Sequence, residues 1–223
     1  MDLPGAAVGF STRLGGVSEG PYESLNLGIL TDDDRARVEQ NRERLAAAAG
    51  LDPRSIAMGW QVHGNDVKQW NARPDGGDLD KVDAHVTNRD DIALLVLVAD
   101  CLPVALAGGD QVAMVHCGWR GLAGGIVTGV IELFDHPPAA AVGPGIGRCC
   151  YEVGDEVRSN FGSQHAYGRM LDLRAVADGA LRAAGVERIE HVDLCTSCRE
   201  DLFFSHRRDD GVTGRQGGLV WRT

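Results

Sequence analysis

Ile92-Ala93-Leu94-Leu95-Val96-Leu97-Val98-Ala99 is the longest apolar run of the chain, and Asp100 and Cys101 follow it directly. Eight residues fall far short of a membrane span. The run carries β-branched side chains and shows no polar alternation, so it reads as a strand buried on both faces. Working outward, Val112 to His116 reads as a second strand. The chain then turns through Gly118-Trp119-Arg120-Gly121 and enters an apolar helix over about Leu122 to Phe134. Ala140 to Val142 is a short strand before Gly143-Pro144-Gly145. Val192 to Cys195 and Leu219 to Trp221 read as further strands. Arg35 to Ala49 is helical, with Asp32–Asp34 favouring its start and Gly50 its stop. Leu173 to Ala184 is helical, with Asp172 as N-cap and Gly185 beyond its end. Asn71 to Asp80 reads as a loop. Strands and helices interleave with no linker or repeat, which predicts an α/β (α+β) class and one domain over residues 1–223.

The composition is ordinary for a globular protein. The 32 acidic residues against 22 basic ones give a net charge of −10, which argues against a nucleic-acid binder. A small anion held by a few local arginines remains compatible with that balance. Six cysteines in 223 residues are too few for a disulfide scaffold. The opening Met1-Asp2-Leu3-Pro4 lacks the features of a signal peptide. The expectation is a cytoplasmic protein with free thiols and no membrane or nucleic-acid partner.

Three polar residues stand where strands end: Cys101, His116, and His63 in Gln61-Val62-His63-Gly64. Strand ends are where open sheets bind ligands. Two imidazoles and a thiolate suit zinc, and three protein ligands leave a position for water or substrate. Spacing alone also fits a Cys–His nucleophilic pair, or three buried polar groups satisfied by backbone. Cys195-Thr196-Ser197-Cys198 reads as two thiols near a turn, with half a zinc knuckle or a redox pair as the alternatives, and Cys149-Cys150, after a glycine-rich turn, as small core residues or a thiol pair with a role of its own. Arg13, in Ser11-Thr12-Arg13-Leu14-Gly15-Gly16, and Arg120, at a helix start, are candidates for holding an anion. Asn26, between two leucines, reads as a turn or capping residue. Phe204-Ser205-His206-Arg207-Arg208-Asp209 reads as a surface charge cluster.

Seven segments in order carry a family likeness: Gly9–Gly28, Gln61–Val67, Asp83–Asn88, Ala99–Val104, Val115–Ile126, Val142–Val157 and Cys195–Trp221. In them the chain resembles the YfiH-like, or laccase-domain, proteins, once described as polyphenol oxidases and later as purine nucleoside phosphorylases. The resemblance implies a layered α/β/β/α sandwich. It implies that His63, Cys101 and His116 bind zinc and act in catalysis. It implies phosphorolysis of adenosine, inosine and guanosine, so that purine nucleosides and phosphate are the partners. Adenosine deamination and methylthioadenosine cleavage are further activities it implies. Arg13 and Asn26 match positions placed around nucleoside or phosphate, and Arg120 of the Gly118-Trp119-Arg120-Gly121 turn is a further anion-site candidate. Copper in a phenol oxidase and a metal-free Cys–His hydrolase are the competing readings. Two departures stand out. The chain starts eight residues before Gly9, so a leading strand is expected to be missing. Cys117 adds a thiol beside His116, but strand alternation points it to the opposite face.

Overall fold

The computed structural model describes residues 1–223. Two sheets form its middle. One has six strands, in the order Ile189–His191, Ala139–Val142, Leu102–Gly108, Gln111–Cys117, Ala84–Thr87 and Val67–Gln69. The other has five, in the order Asp2–Leu3, Ala6–Phe10, Gln216–Arg222, Ala93–Val98 and Ile56–Ala57. The strand Gln216–Arg222 therefore lies antiparallel between two strands formed far earlier in the chain.

Period-two alternation distributes the side chains of these strands among three cores. Leu102, Val104 and Leu106 face the helices Trp119–Ala123, Ile126–Ile131 and Leu173–Ala183, whereas Ala105 and Ala107 face the other sheet. Leu94 and Val96 meet them from the five-stranded sheet, and Leu95 and Leu219 point outward to Leu45 of the helix Arg35–Ala49. The order is helix, sheet, sheet, helices, the α/β/β/α layering that the resemblance implies. Small residues let the two sheets approach. A Cβ added at Gly218 would lie 2.6 Å from Pro103 Cβ.

Helix Arg35–Ala49 starts as the sequence predicts, the Asp34 carboxylate accepting the Ala36 N–H, and stops at Gly50 with φ of 69°. Asp172 caps Leu173–Ala183 by accepting from Ala175 N–H. Other expectations change. The helix expected over Leu122–Phe134 is two short helices, because Gly125 takes the left-handed region at φ of 79° and breaks the ladder. The strand expected at Val192–Cys195 lies at Ile189–His191, and the chain turns at Val192–Leu194 before Cys195 bridges to Gly145. A two-residue strand, Asp2–Leu3, pairs antiparallel with Ala6–Phe10. Cys117 points to the helix layer, as alternation predicts, and burial pushes its thiol up. No helix is long and apolar enough to cross a membrane.

Candidate metal centre

His116 is the next-to-last residue of Gln111–Cys117, on the inter-sheet face with Met114 but at the sheet's end. Cys101 follows the strand Ala93–Val98 after a turn whose Asp100 adopts φ of 91°. His63 sits on an exposed turn, itself in the left-handed region at φ of 61°. A non-glycine residue is held there only if its surroundings compel it. The compulsion comes from Asp83, a fully buried carboxylate. Its Oδ2 accepts the N–H of Val62 at 3.0 Å and of Gly64 at 2.7 Å, and its Oδ1 accepts that of His63 at 3.0 Å. Gln61 pins the same turn to the five-stranded sheet. Its amide donates to Leu97 O at 2.7 Å and accepts from Leu97 N–H at 2.7 Å, as a neighbouring strand would.

Asp83 Oδ1 also lies 2.7 Å from His116 Nδ1. That bond fixes the ring and frees Nε2 for another partner. The ligand atoms of His63, Cys101 and His116 all lie within 4.8 Å of one another. The two imidazoles meet edge to face with centroids 4.9 Å apart. Gly118 keeps the approach open, since a Cβ there would stand 3.1 Å from Cys101 Sγ and 3.2 Å from His63 Cδ2. His116 is buried, Cys101 half-buried and His63 exposed, so the cluster has a protein side and a solvent side. Two imidazoles and a thiolate around an uncrowded point fit a zinc or copper ion with an open position.

The electrostatics match a cation site. Burial alone would raise the Cys101 thiol, but the charge of His116 and hydrogen bonds from His116 and His63 outweigh it and bring the thiol down. Burial alone would lower His116, but the Cys101 thiolate and the Asp83 hydrogen bond raise it. Desolvation opposes ionisation of Asp83 as well, and the hydrogen bonds from His116, Gly64 and Val62 still hold it below the ordinary carboxylate range.

Around it stands a polar wall. Tyr151, mainly through burial and then through the charge of Cys101, has its phenol pushed up to about 12, so it carries its proton at neutral pH. Arg207 stacks on Tyr151 at 5.3 Å and donates to Glu152 O at 2.6 Å. Arg120 lies over the Trp119 ring at 4.4 Å, exposed and without a carboxylate partner. Asp100 is taken up by the loop beside it. It accepts from Thr196 Oγ1 at 2.6 Å and from Arg207 N–H at 2.7 Å, so it organises the loop rather than the ion.

The other expected residues are placed differently. Arg13 Nε donates to Glu23 O at 2.6 Å, its guanidinium lies over Phe204 at 4.7 Å, and it lines a surface hollow with Cys198 and Glu200. Asn26 is fully buried with its amide consumed. Its Oδ1 accepts from Gly28 and Arg215 N–H, and its Nδ2 donates to Thr31 and Asp33. It orders a turn, the reading its flanking leucines gave. Arg207, exposed as the surface-cluster reading expects, also stacks on Tyr151. The thiols read as separate pairs near turns also need correction: Cys149, Cys150, Cys195 and Cys198 converge, their sulfurs all within 4.8 Å of one another. Asp83, Gln61 and Tyr151 were not singled out from sequence as site residues. All three lie in the quoted motif segments, but their partners are distant in the chain.

A family model described as multi-copper polyphenol oxidoreductase laccase matches residues 7–223. Purine nucleoside phosphorylase YfiH of Shigella flexneri is 39% identical, with 97% of this chain and 94% of that protein aligned. Purine nucleoside phosphorylase YlmD of Geobacillus stearothermophilus is 35% identical, with 98% and 90% aligned. The crystal structure of that YlmD superposes with a TM-score of 0.91, over 99% of this chain and 93% of its own. A Bacillus licheniformis protein called YfiH superposes at 0.90 with 31% identity, over 98% and 93% of the two chains.

Proposed function

This chain belongs to the family described as multi-copper polyphenol oxidoreductase laccase, within which its relatives over nearly full length are named purine nucleoside phosphorylases, and from that premise we propose that it cleaves purine nucleosides with phosphate to free base and ribose 1-phosphate. A phosphate oxygen forms the new bond to C1′ of the ribose. The bond from C1′ to the purine nitrogen breaks, its electron pair leaves with the base, and the base takes up a proton. The transition state resembles an oxocarbenium ion, so anionic charge on one face and electron withdrawal on the other lower the barrier.

The observation that carries the reading is the convergence of His63, Cys101 and His116 on one point, with Asp83 gripping two of them. These three residues would hold zinc, which when bound supplies positive charge and polarises a substrate group or a water. Asp83 keeps the His116 ring oriented and the His63 turn in place. Arg120 offers a guanidinium for phosphate, and Arg207 stacks on the Tyr151 ring, whose phenol feels both charges. The protonated Tyr151 phenol is a hydrogen-bond donor on the same wall. Arg13 and Asn26 act in this reading through the loops they fasten. Deamination of adenosine and cleavage of methylthioadenosine belong to the same centre, and thiolate ligands fit a reducing cytoplasm.

A copper phenol oxidase is the second reading, favoured by the family description and by a donor set that copper shares. Multi-copper chemistry needs more imidazoles than this cluster holds. The only other buried histidine, His85, lies against Trp70, and His191 pairs with Asp178. The deciding experiment follows hypoxanthine release from inosine with the zinc-loaded protein. Release requires added phosphate and yields ribose 1-phosphate; equal release without phosphate makes the enzyme a hydrolase. Oxygen uptake with a phenol would revive the copper reading, and full activity after chelation would support a Cys101–His116 nucleophile.

A further inference from the structure

Cys149, Cys150, Cys195 and Cys198 come from two loops distant in sequence. The first pair lies on the turn after Gly143-Pro144-Gly145, and the second begins at Cys195, which bridges to Gly145, and ends on the turn that follows. Backbone bonds hold the loops together. Thr196 N–H donates to Gly145 O at 3.1 Å, and Gly147 N–H donates to Cys195 Sγ at 3.1 Å. The Cys198 N–H is aimed at the same sulfur, closing the tight CxxC turn on itself. The sulfurs are 3.5 Å apart for Cys149 and Cys198, and 3.4 Å for Cys150 and Cys198.

Those separations exclude a formed disulfide, whose sulfurs stand about 2 Å apart. They fit a tetrahedron. Four sulfurs each about 2.3 Å from a central zinc stand about 3.8 Å from one another. The six separations here are all within 4.8 Å. We propose that these four cysteines form a second metal site, a closed tetrathiolate that binds zinc and fastens the Gly143–Tyr151 loop to the Cys195–Arg208 loop.

The donor set decides the ion. Thiolates are soft ligands that select zinc over magnesium or calcium. Four protein ligands leave no position for water or substrate, so the site is structural. Its position gives it a task. Tyr151 follows Cys150 directly, and Arg207, stacked on Tyr151, lies on the loop that Cys195 and Cys198 anchor. The bound ion would hold both wall residues in place without touching the His63 centre. The proposal is independent of the reaction assigned above.

The test is elemental analysis of untagged protein purified without chelator under reducing, oxygen-free conditions. About two zinc ions per chain are expected, falling to about one in Cys198→Ser and in Cys149→Ser, and to about one in His63→Ala. Both cysteines are exposed on turns, so the variants are expected to keep the native circular dichroism. Should one serine variant misfold, the other reads the same sulfur set. Cobalt loaded into His63→Ala provides a second readout, a thiolate-to-cobalt charge-transfer band that disappears in the His63→Ala, Cys198→Ser double variant. Zinc content unchanged in both serine variants overturns the proposal, as does iron in place of zinc or an intact mass showing a disulfide in the freshly isolated protein. The zinc count does not depend on turnover, so a protein inert toward inosine leaves this result readable.

Discussion

Asp83 gathers four donors on one carboxylate, three of them consecutive backbone N–H groups and the fourth an imidazole nitrogen. Such a partner sets the orientation of a metal-binding histidine, and its loss typically weakens metal affinity about 10- to 100-fold. Asp83→Asn replaces one acceptor oxygen by a donor that faces N–H groups. Zinc affinity, measured by competition with a chromogenic chelator, is therefore expected to fall about 10- to 100-fold, while His63 and His116 remain. Unchanged affinity would show that the turn keeps its shape unaided. Strand ends and side-chain type bring His63, Cys101 and His116 forward in the sequence, but spacing leaves a nucleophilic pair open, and only the family resemblance singles out the trio. Asp83 is not legible there, because its partners lie about twenty and thirty-three positions away and an aspartate before a strand carries no local mark of that task.

At the scale of elements, capping chemistry was readable. Asp34, Gly50 and Asp172 work as their residue types predict. The strand Leu102–Gly108, central to its sheet, carries no clear strand signal in the sequence. Pro103 disguises it, since proline cannot donate to a ladder; here it is the second residue of the strand and contributes its carbonyl, which accepts Gly143 N–H at 2.8 Å. The broken helix supplies a paired prediction. Gly125 has φ of 79°, so Gly125→Ala is expected to destabilise by about 1 kcal/mol. Gly129 lies within Ile126–Ile131, with open space where a Cβ would go. Gly129→Ala is expected to stabilise by up to about 1 kcal/mol. Urea midpoints for the two variants should move in opposite directions, and movement in the same direction refutes the account of the break.

At the scale of the molecule, the interior holds a histidine that must stay neutral. His85 is buried, and its Nδ1 accepts from Trp70 Nε1 at 3.2 Å. Burial lowers its pKa to about 4. The unfolded chain, with an ordinary value near 6.5, then binds the extra proton between pH 6.5 and 4. The stability this group contributes is present above pH 6.5 and is lost as pH falls toward 4, on the order of 3 kcal/mol over that interval. His85→Leu is expected to flatten that part of the stability-against-pH curve in urea titrations; an unchanged slope assigns the loss to other groups. The residues themselves give only an α/β class; the layer order is what the family resemblance implies, and the pairing of strands is set by contacts between segments remote in sequence.

The insertion of Gln216–Arg222 between Ala6–Phe10 and Ala93–Val98 has a consequence for biosynthesis. While a ribosome is still making the segments upstream of residue 216, both flanking strands present open backbone edges with their intended neighbour not yet translated. The five-stranded sheet can close only after that segment clears the exit tunnel. Until then those edges stay open to pairing with another chain.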